Sequence, residues 1–245
     1  MTQAIYEVAE AYYKSVILNP LTIAKAAGSE TVWDEILNFH AQLVTDGYTK
    51  YLDGFYRASK ERFGANWVYY DIVNVIYAAA KLLQPRNYLE IGVRRGRTLC
   101  SAVRGCPKMD VYACDMWIPQ YAGMDNPGED FVRQQLADHG HSGKSMFFNG
   151  DSHSLLPQLF REQPELNFDL ITVDGDHSTD GAYADLKTVL PRLNPGGVLV
   201  FDDIAHPEHP FLKEVWQQVL TEHKELASFA YEELGYGVAF AVHRG

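Results

Sequence analysis

Residues 88–98 read YLEIGVRRGRT, an apolar run followed by a loop with glycine at positions 92 and 96. The apolar run predicts a buried strand, and the residues after Gly96 predict a helix over 97–103. Glycine lets a backbone approach a ligand closely, and the free N–H groups at a helix N-terminus attract an anion such as a carboxylate. Ligands of open α/β sheets bind at the carboxyl ends of the strands. The loop therefore predicts a ligand site after the first strand.

The chain beyond residue 83 alternates short β-branched or aromatic runs with helical stretches, which predicts an α/β fold with a parallel sheet. The predicted strands cover residues 87–92, 110–115, 145–150, 168–174, 198–202, 228–232 and 236–243. The predicted helices cover residues 68–83, 97–103, 129–136, 153–161, 181–193 and 210–223. The link at 233–235 is long enough for a hairpin but too short for a crossover. The final strand is therefore expected to run antiparallel to an otherwise parallel sheet.

The N-terminal part of the chain has a helical pattern. Apolar residues recur at three- and four-residue steps from about residue 3 to residue 63. Breaks in this pattern fall at residues 19–20, 28–29 and 46–47. We therefore divide the chain into an N-terminal helical extension, residues 1–67, and a main domain, residues 68–245. The tyrosines of the extension suit a lid or a homo-oligomer contact, and a cap packed on the core is the alternative.

Composition and charge disfavour several classes of protein. The chain of 245 residues carries 21 Lys and Arg against 32 Asp and Glu, a net charge of −11 that repels nucleic acids and anionic membranes. Its apolar stretches fall short of the ~20 residues that a membrane span needs, and its first residues lack the pattern of a secretory signal. The three cysteines show no CxxC spacing, which argues against a disulfide framework and a zinc knuckle. We expect a cytoplasmic protein without nucleic-acid or membrane partners.

Two acidic residues make the prediction of a ligand site at this loop more specific. Glu90 lies near the end of the first predicted strand, where burying a carboxylate is costly without a positive or hydrogen-bonding partner. Asp115 ends the second predicted strand, 19 residues after Gly96, where a carboxylate can hold ribose hydroxyls. The alternative is that Glu90 caps the helix and Asp115 is a turn residue. Because Arg94 and Arg95 interrupt the pattern G-x-G-x-x-G, an NAD-dependent oxidoreductase is disfavoured.

These features resemble the class I S-adenosylmethionine-dependent methyltransferases. The resemblance rests on the E-x-G-x-x-x-G loop at 90–96, on Asp115 and on the Gly-Asp-Ser turn at 150–152. It extends over about residues 69–243 and implies a Rossmann-like α/β fold with a seven-stranded, mostly parallel sheet. Arg94 departs from the pattern, because many members of the family carry glycine there.

The resemblance also implies S-adenosylmethionine (SAM) as cofactor. Glu90 and the two glycines would lie at its methionine end, Asp115 would hold its ribose, and Asp151 would contact the amino group of its adenine. Met116 and Trp117 would pack near the adenine. The implied cofactor-binding residues are Glu90, Gly92, Gly96, Thr98, Asp115, Met116, Trp117, Asp151, Ser152 and Asp174.

Three carboxylates follow the fourth and fifth predicted strands. Asp174 ends one strand and the pair Asp202-Asp203 ends the other, so adjacent parallel strands would bring them to one rim of the sheet. Two carboxylates 4 Å apart repel by about 4 kcal/mol at an effective dielectric of 20, and the cluster needs raised pKa values or a bound cation. Oxygen ligands favour Mg²⁺, or else Mn²⁺ or Ca²⁺. We expect Asp174, Asp202 and Asp203 to bind the metal. Alternatively, the Asp pair only turns the chain and Asp176 caps a helix.

This cluster, with His177 three residues after Asp174, resembles the metal site of catechol O-methyltransferase-like enzymes. It resembles more closely the sugar O-methyltransferases of the macrocin and mycinamicin type. The resemblance implies Mg²⁺-dependent methylation of a hydroxyl on a small vicinal-diol acceptor, a sugar or a phenol, in natural product biosynthesis. Asp174 and His177 would be catalytic, with His177 as the base, because imidazole has a near-neutral pKa. The alternative is that His177 caps the helix that begins near Ser178.

Two further functions stay open. A metal-dependent hydrolase would use the three aspartates and a water molecule, and a catalytically silent module would keep only the cofactor loop. The long loop at residues 116–128 suits a cover for the cofactor rim. The segment 206–210, which contains two histidines and two prolines, either borders the acceptor pocket or is solvated surface.

Overall fold

The structure is a computed structural model that describes residues 18–245. The helical pattern predicted for residues 3–17 lies outside the described residues. Among these residues, four α-helices precede the sheet: α1 (Pro20–Ala27), α2 (Glu30–His40), α3 (Gly47–Phe63) and α4 (Ile72–Leu83). The side chains of Asn19, Ser29, Asp46 and Asp71 each accept a hydrogen bond from a backbone N–H in the first turn of the following helix. The predicted breaks are therefore capped helix starts, and α4 begins at Ile72 rather than at residue 68 because Asp71 caps it.

Seven strands form one sheet within residues 18–245, with five helices among them. The strands are β1 (Asn87–Ile91), β2 (Asp110–Asp115), β3 (Ser145–Asn149), β4 (Phe168–Val173), β5 (Leu193–Asp202), β6 (Leu226–Tyr231) and β7 (Val238–His243). The helices are α5 (Arg97–Gly105), α6 (Glu129–Asp138), α7 (Ser152–Glu162), α8 (Thr179–Val189) and α9 (Phe211–Glu222). No helix in this part of the chain has the length and apolarity that crossing a bilayer requires.

The strand order is β3-β2-β1-β4-β5-β7-β6. The strands β1 to β5 pair in parallel, whereas β7 pairs antiparallel with both β5 and β6. The prediction of a Rossmann-like, mostly parallel sheet with an antiparallel last strand is confirmed.

The largest difference from the predicted elements lies before β5. The helix predicted over 181–193 ends at Val189, and Leu190–Arg192 forms a short 3₁₀ turn that contains Pro191. Because proline has no backbone N–H to donate, the α-helical hydrogen bonds stop there. The chain then enters β5 at Leu193, five residues earlier than residue 198, and these residues pair with the start of β4 across a shift in register.

The core has two layers, one on each face of the sheet. Successive residues of a strand point to opposite faces, so Tyr88 packs with α1 to α6 while Leu89 packs with α7 to α9. Trp33 of α2 is buried and contacts the rings of Tyr56 and Trp67. The described helices of the extension therefore share a core with the sheet.

Candidate active site

The ends of β1, β4 and β5 bring the sequence-predicted residues to one rim of the sheet. These strands pair in parallel register up to their last residues, so Gly92, Asp174 and Asp202 lie on neighbouring strand ends. The backbone N–H of Asp174 donates a hydrogen bond to the carbonyl of Ile91 at 2.9 Å. The loop after β1 and the carboxylates after β4 and β5 therefore belong to one site.

Gly92 is required by its contact with the end of β4. Its φ is +83°, a left-handed conformation that favours glycine. A Cβ at this position would lie 1.8 Å from the carbonyl oxygen of Asp174. Gly96 has φ +71°, and a Cβ there would lie 2.8 Å from Cγ1 of Val132. Contacts within the protein alone thus explain both glycines, and the contact at Gly92 fixes the ligand loop against Asp174.

Glu90 is fully buried below this loop. One carboxyl oxygen is hydrogen-bonded to the hydroxyl of Tyr88, which also lies 2.9 Å from Oγ1 of Thr172. The other oxygen, Oε1, makes no hydrogen bond within the described part of the chain. Burial raises the pKa of Glu90 well above its usual value, and the charges of Asp174 and Asp115 add to the rise. A buried oxygen without a partner is costly, which favours a ligand with a donor group at this point.

Asp115 holds the ligand loop in place. Its Oδ2 accepts hydrogen bonds from the backbone N–H groups of Val93 and Arg94, both at 2.7 Å, and its Oδ1 accepts one from Trp117 at 2.5 Å. Arg94 has φ +50°, a conformation uncommon for residues other than glycine. The two hydrogen bonds to Asp115 stabilise that conformation.

Arg94 and Arg95 attach two other segments to the ligand loop, a role that the sequence analysis missed. The guanidinium of Arg94 lies 3.8 Å from the carboxylate of Asp46 and over the ring of Tyr48. Arg95 pairs with Asp125 and donates to the carbonyl of Val44 at 3.3 Å. The extension and the 116–128 loop are therefore both connected to the loop after β1. No local pattern signals these contacts, because the partners lie 30 or more residues away.

The remaining cofactor-binding candidates lie around the ends of β2 and β3. Trp117 donates from Nε1 to the side chain of Asn149 at 2.8 Å, and Met116 is exposed. Asp151 caps α7 by accepting from the backbone N–H of His153 at 3.0 Å. The hydroxyl of Ser152 points inward and donates to a buried carboxylate. Thr98 lies half-buried in the first turn of α5.

Asp174, His177 and Asp203 converge at the rim. One potential ligand atom from each lies within 4.8 Å of the other two. His177 Nε2 is 3.3 Å from Asp174 Oδ1, and His177 Nδ1 is 3.7 Å from Asp203 Oδ2. Asp202, which the sequence analysis places among the metal ligands, is not a member of this converging set.

Two of the carboxylates at this rim, Asp202 and Asp203, have raised pKa values. Burial raises the pKa of Asp203 to about 7, and the charge of Asp174 adds to the rise. Burial and the charge of Asp203 also raise the pKa of Asp202. Burial lowers the pKa of His177, but the carboxylates of Asp174 and Asp203 outweigh that effect and raise it to about 9. At neutral pH without a cation, His177 is therefore protonated, contrary to the near-neutral pKa expected from imidazole alone.

His177 is expected to give the metal-free protein a pH-dependent stability. Its pKa is about 9 in the folded protein, against 6.5 for a histidine without partners, so the imidazolium stabilises the fold below pH 6.5 and the contribution is lost as the pH rises through 9. The difference corresponds to at most about 3 kcal/mol. In EDTA, urea unfolding should show the wild type more stable than His177→Gln at pH 6, with a smaller difference at pH 9.5. Equal differences at both pH values would contradict these ion pairs.

Aromatic rings from two loops line the neighbourhood of the cluster. The ring centroid of His209 is 5.2 Å from that of His177, and the ring centroid of His206 is 4.7 Å from that of His209. Tyr236, from the hairpin between β6 and β7, lies 4.1 Å from His206. The charges of Asp174, Asp176 and Asp203 reinforce the effect of burial in raising the pKa of Tyr121, which indicates that the 116–128 loop also approaches the cluster. The segment 206–210 thus borders the site.

Part of the chain matches a family of known proteins. Residues 89–204 match the family described as "Methyltransferase domain". Among curated proteins, "Uncharacterized protein y4gI" of Sinorhizobium fredii (strain NBRC 101917 / NGR234) is 27% identical over 164 residues. The match covers 64% of this chain and 17% of that protein, so the chain spans about a sixth of the relative's length.

Solved structures share the fold over most of the chain. The O-methyltransferase NovP has a TM-score of 0.59 at 17% identity, covering 88% of this chain and 98% of its own. TomG from Streptomyces achromogenes, an O-methyltransferase involved in tomaymycin synthesis and solved with SAM, has a TM-score of 0.56 at 20% identity, with coverages of 85% and 95%. CalS11, described as a TDP-rhamnose 3′-O-methyltransferase of calicheamicin biosynthesis, has a TM-score of 0.54 at 18% identity, with coverages of 86% and 93%. These likenesses establish the fold.

Proposed function

Residues 89–204 match the family described as "Methyltransferase domain", and from this premise we propose that the chain is a Mg²⁺-dependent O-methyltransferase. It transfers the methyl group of SAM to a hydroxyl of a small vicinal-diol acceptor, a sugar or a phenol of natural product biosynthesis. The observation that carries the proposal is the convergence of Asp174, His177 and Asp203 within 4.8 Å, beside a loop that contacts Asp174 directly.

The loop after β1 fits SAM. The unpartnered Oε1 of Glu90 suits the ammonium group of the methionine part. α5 begins behind Gly96 without a side-chain cap, which leaves backbone N–H groups, and the nearby hydroxyl of Thr98, for the methionine carboxylate. Asp115 accepts three backbone hydrogen bonds and, because an ionised carboxylate offers about four acceptor sites, can take one more from a ribose hydroxyl. When bound, SAM supplies a methyl group on a sulfonium centre that an oxygen nucleophile can attack.

The carboxylate cluster fits a hard divalent cation. Asp174 and Asp203 provide the converging oxygens. Asp202, the preceding residue in the chain, stays in the proposed ligand set on the strength of the sequence pattern alone. The pKa values of Asp202 and Asp203 are raised because these carboxylates are buried close to other negative charges. A bound cation would offset that repulsion. When bound, Mg²⁺ supplies Lewis acidity that lowers the pKa of the acceptor hydroxyl.

We assign His177 as the residue that accepts the hydroxyl proton. In the metal-free protein its pKa of about 9 keeps the ring protonated at neutral pH, and a protonated ring cannot act as a base. Neutralising the charges of Asp174 and Asp203 removes the cause of that high pKa, so the ring becomes a base that works near cellular pH. Removing the metal is therefore expected to raise two pKa values, that of the acceptor hydroxyl and that of His177.

The acceptor would lie against the rings beside the cluster. His206, His209 and Tyr236 form a continuous set of ring contacts next to His177, and stacking on such rings suits a flat or cyclic acceptor. The fold shared with CalS11, described as acting on TDP-rhamnose, supports a sugar hydroxyl as one candidate.

The extension and the cellular setting belong to the same proposal. Contacts of Arg94 with Asp46 and Tyr48 support a covering role for the extension, residues 1–67, over the cofactor loop. The exposed side chains of Tyr51 and Phe63 support self-association. The three cysteines are free and buried, in keeping with a reducing cytoplasm. The net charge of −11 supports a small-molecule acceptor rather than a nucleic acid or a membrane.

The proposal is tested by following S-adenosylhomocysteine (SAH) formation from SAM. The full chain is incubated with catechols or with glycosides that carry vicinal hydroxyls, in Mg²⁺ or in EDTA. We expect SAH to form only with an acceptor and Mg²⁺ together. Methyl transfer that proceeds equally well in EDTA would contradict the metal dependence. A protein that binds no SAM but hydrolyses esters in Mg²⁺ would instead support the hydrolase.

A further inference from the structure

The buried carboxylate of Asp185, on α8, contacts the turn that begins α7. Its side chain is 1% exposed, and no step of the proposed reaction uses it. The hydroxyl of Ser152, the first residue of α7, donates a hydrogen bond to Asp185 Oδ1 at 2.6 Å. His153 Nε2 lies 3.3 Å from the same oxygen. Asp185 therefore contacts the turn that carries Asp151, the residue that the resemblance to class I methyltransferases places beside the amino group of the adenine.

The second oxygen of Asp185 faces the loop between β4 and α8. Oδ2 is buried and makes no hydrogen bond within the described residues, and a Cβ on Gly175 would lie 3.4 Å from it. Helix α8 packs so closely on this loop that a Cβ on Gly181 would lie 2.0 Å from Oδ2 of Asp176. The carboxylate of Asp185 therefore packs beside Gly175, in the loop that carries Asp174.

The charge of Asp185 is stabilised by groups from both segments. Burial raises the pKa of Asp185, while the Ser152 hydroxyl, the charge of His153 and the backbone amide of Asp176 act in the opposite direction. A buried oxygen without a hydrogen bond costs stability that an apolar side chain would not. The Asp185 side chain therefore contacts both the α7 turn and the β4–α8 loop, and its burial lowers the stability of the fold.

We propose that Asp185 is a positioning residue that couples cofactor binding at the α7 turn to cation binding at the β4–α8 loop. This inference rests on the proposed function, because only that proposal makes the two segments a cofactor site and a cation site. Thermodynamic linkage requires the coupling to be reciprocal. A cation should tighten SAH binding by the same factor by which SAH tightens cation binding.

The test measures SAH binding by calorimetry with and without Mn²⁺, on the full chain. In the wild type, Mn²⁺ should tighten SAH binding at least fivefold. Asp185→Ala should weaken SAH binding about tenfold and reduce the Mn²⁺ effect to less than twofold. Asp185→Asn keeps the size of the side chain and an oxygen that accepts from Ser152, and should restore most of the SAH affinity. Ser152→Ala should weaken SAH binding as Asp185→Ala does, whereas Asp180→Asn, an exposed position on the same helix, should behave as the wild type.

A Mn²⁺ effect that stays fivefold in Asp185→Ala would overturn the inference, because a merely structural residue lowers the melting temperature and leaves the coupling intact. If Asp185→Ala does not fold, the SAH affinities of Ser152→Ala and Asp185→Asn test the inference in its place. A Ser152→Ala variant that binds SAH as tightly as the wild type would contradict the inference. A wild type that binds SAH but no Mn²⁺ contradicts the proposed function instead. The SAH affinities of the Ser152 and Asp185 variants then still show whether Asp185 positions the cofactor turn.

Discussion

Replacing Asp203 with asparagine is expected to lower the rate of methyl transfer about 10³-fold, while SAH affinity in EDTA changes less than threefold. The variant removes one of the two carboxylates that converge with His177. Losing the cation is expected to remove several kcal/mol of transition-state stabilisation, and each 1.36 kcal/mol is about tenfold in rate. SAH formation with a diol acceptor in Mg²⁺, together with calorimetry in EDTA, measures the two effects separately.

The stability of the same variant separates a functional loss from a folding defect. The pKa of Asp203 is about 7 in the folded protein, above its usual 3.8, so its ionisation destabilises the fold as the pH rises from 3.8 through 7. Asp203→Asn should therefore be at least as stable as the wild type at pH 8 in EDTA. Asp176→Asn, in the same loop but outside the converging set, should keep its activity within about threefold. Equal losses in both variants would show that the effect is not specific to a metal ligand.

Gly92→Ala is expected to destabilise the protein by about 3 kcal/mol or more. The added Cβ would lie 1.8 Å from the carbonyl oxygen of Asp174, which is backbone and cannot rotate away. The loop after β1 or the end of β4 must then move, and both belong to the proposed site. Urea unfolding at pH 7.5 measures the loss, and SAH binding should fall with it.

Gly140→Ala is the matched control for this variant. Gly140 has φ +84°, almost the same as the +83° of Gly92, but a Cβ there meets nothing within 4 Å. The control therefore carries only the cost of a left-handed alanine, about 1 kcal/mol. If the two variants lost equal stability, backbone strain alone would explain the loss in Gly92→Ala. The contact with Asp174 would then contribute nothing measurable to that loss.

Much of the fold was predictable because its signals are local. The apolar run before Gly92, the strand that ends at Asp115 and the short link at 233–235 specify strands and a hairpin without knowledge of distant contacts. The start of β5 was not predictable in this way. Its first residues pair with β4 across a register shift, and the sequence there reads as the end of a helix.

The site was predictable in outline for the same reason, since Asp174 and Asp202–Asp203 follow strand ends that the sheet brings together. Its electrostatics were not. The pKa of His177 depends on two carboxylates that reach it across 3.3 and 3.7 Å, and the role of Arg95 depends on partners 30 and 51 residues away. Asp185 gave no signal, because it lies within a helix with no motif around it. Such properties arise from tertiary contacts and need the structure.

Electron paramagnetic resonance of Mn²⁺ tests the central claim most directly, since bound Mn²⁺ loses the six-line signal of the free ion. In the presence of SAH, we expect the wild type to bind one Mn²⁺ per chain and Asp203→Asn to bind none at the same concentrations. A wild type that leaves all the Mn²⁺ free, or an Asp203→Asn variant that binds it equally well, would contradict a cation site built on Asp174 and Asp203.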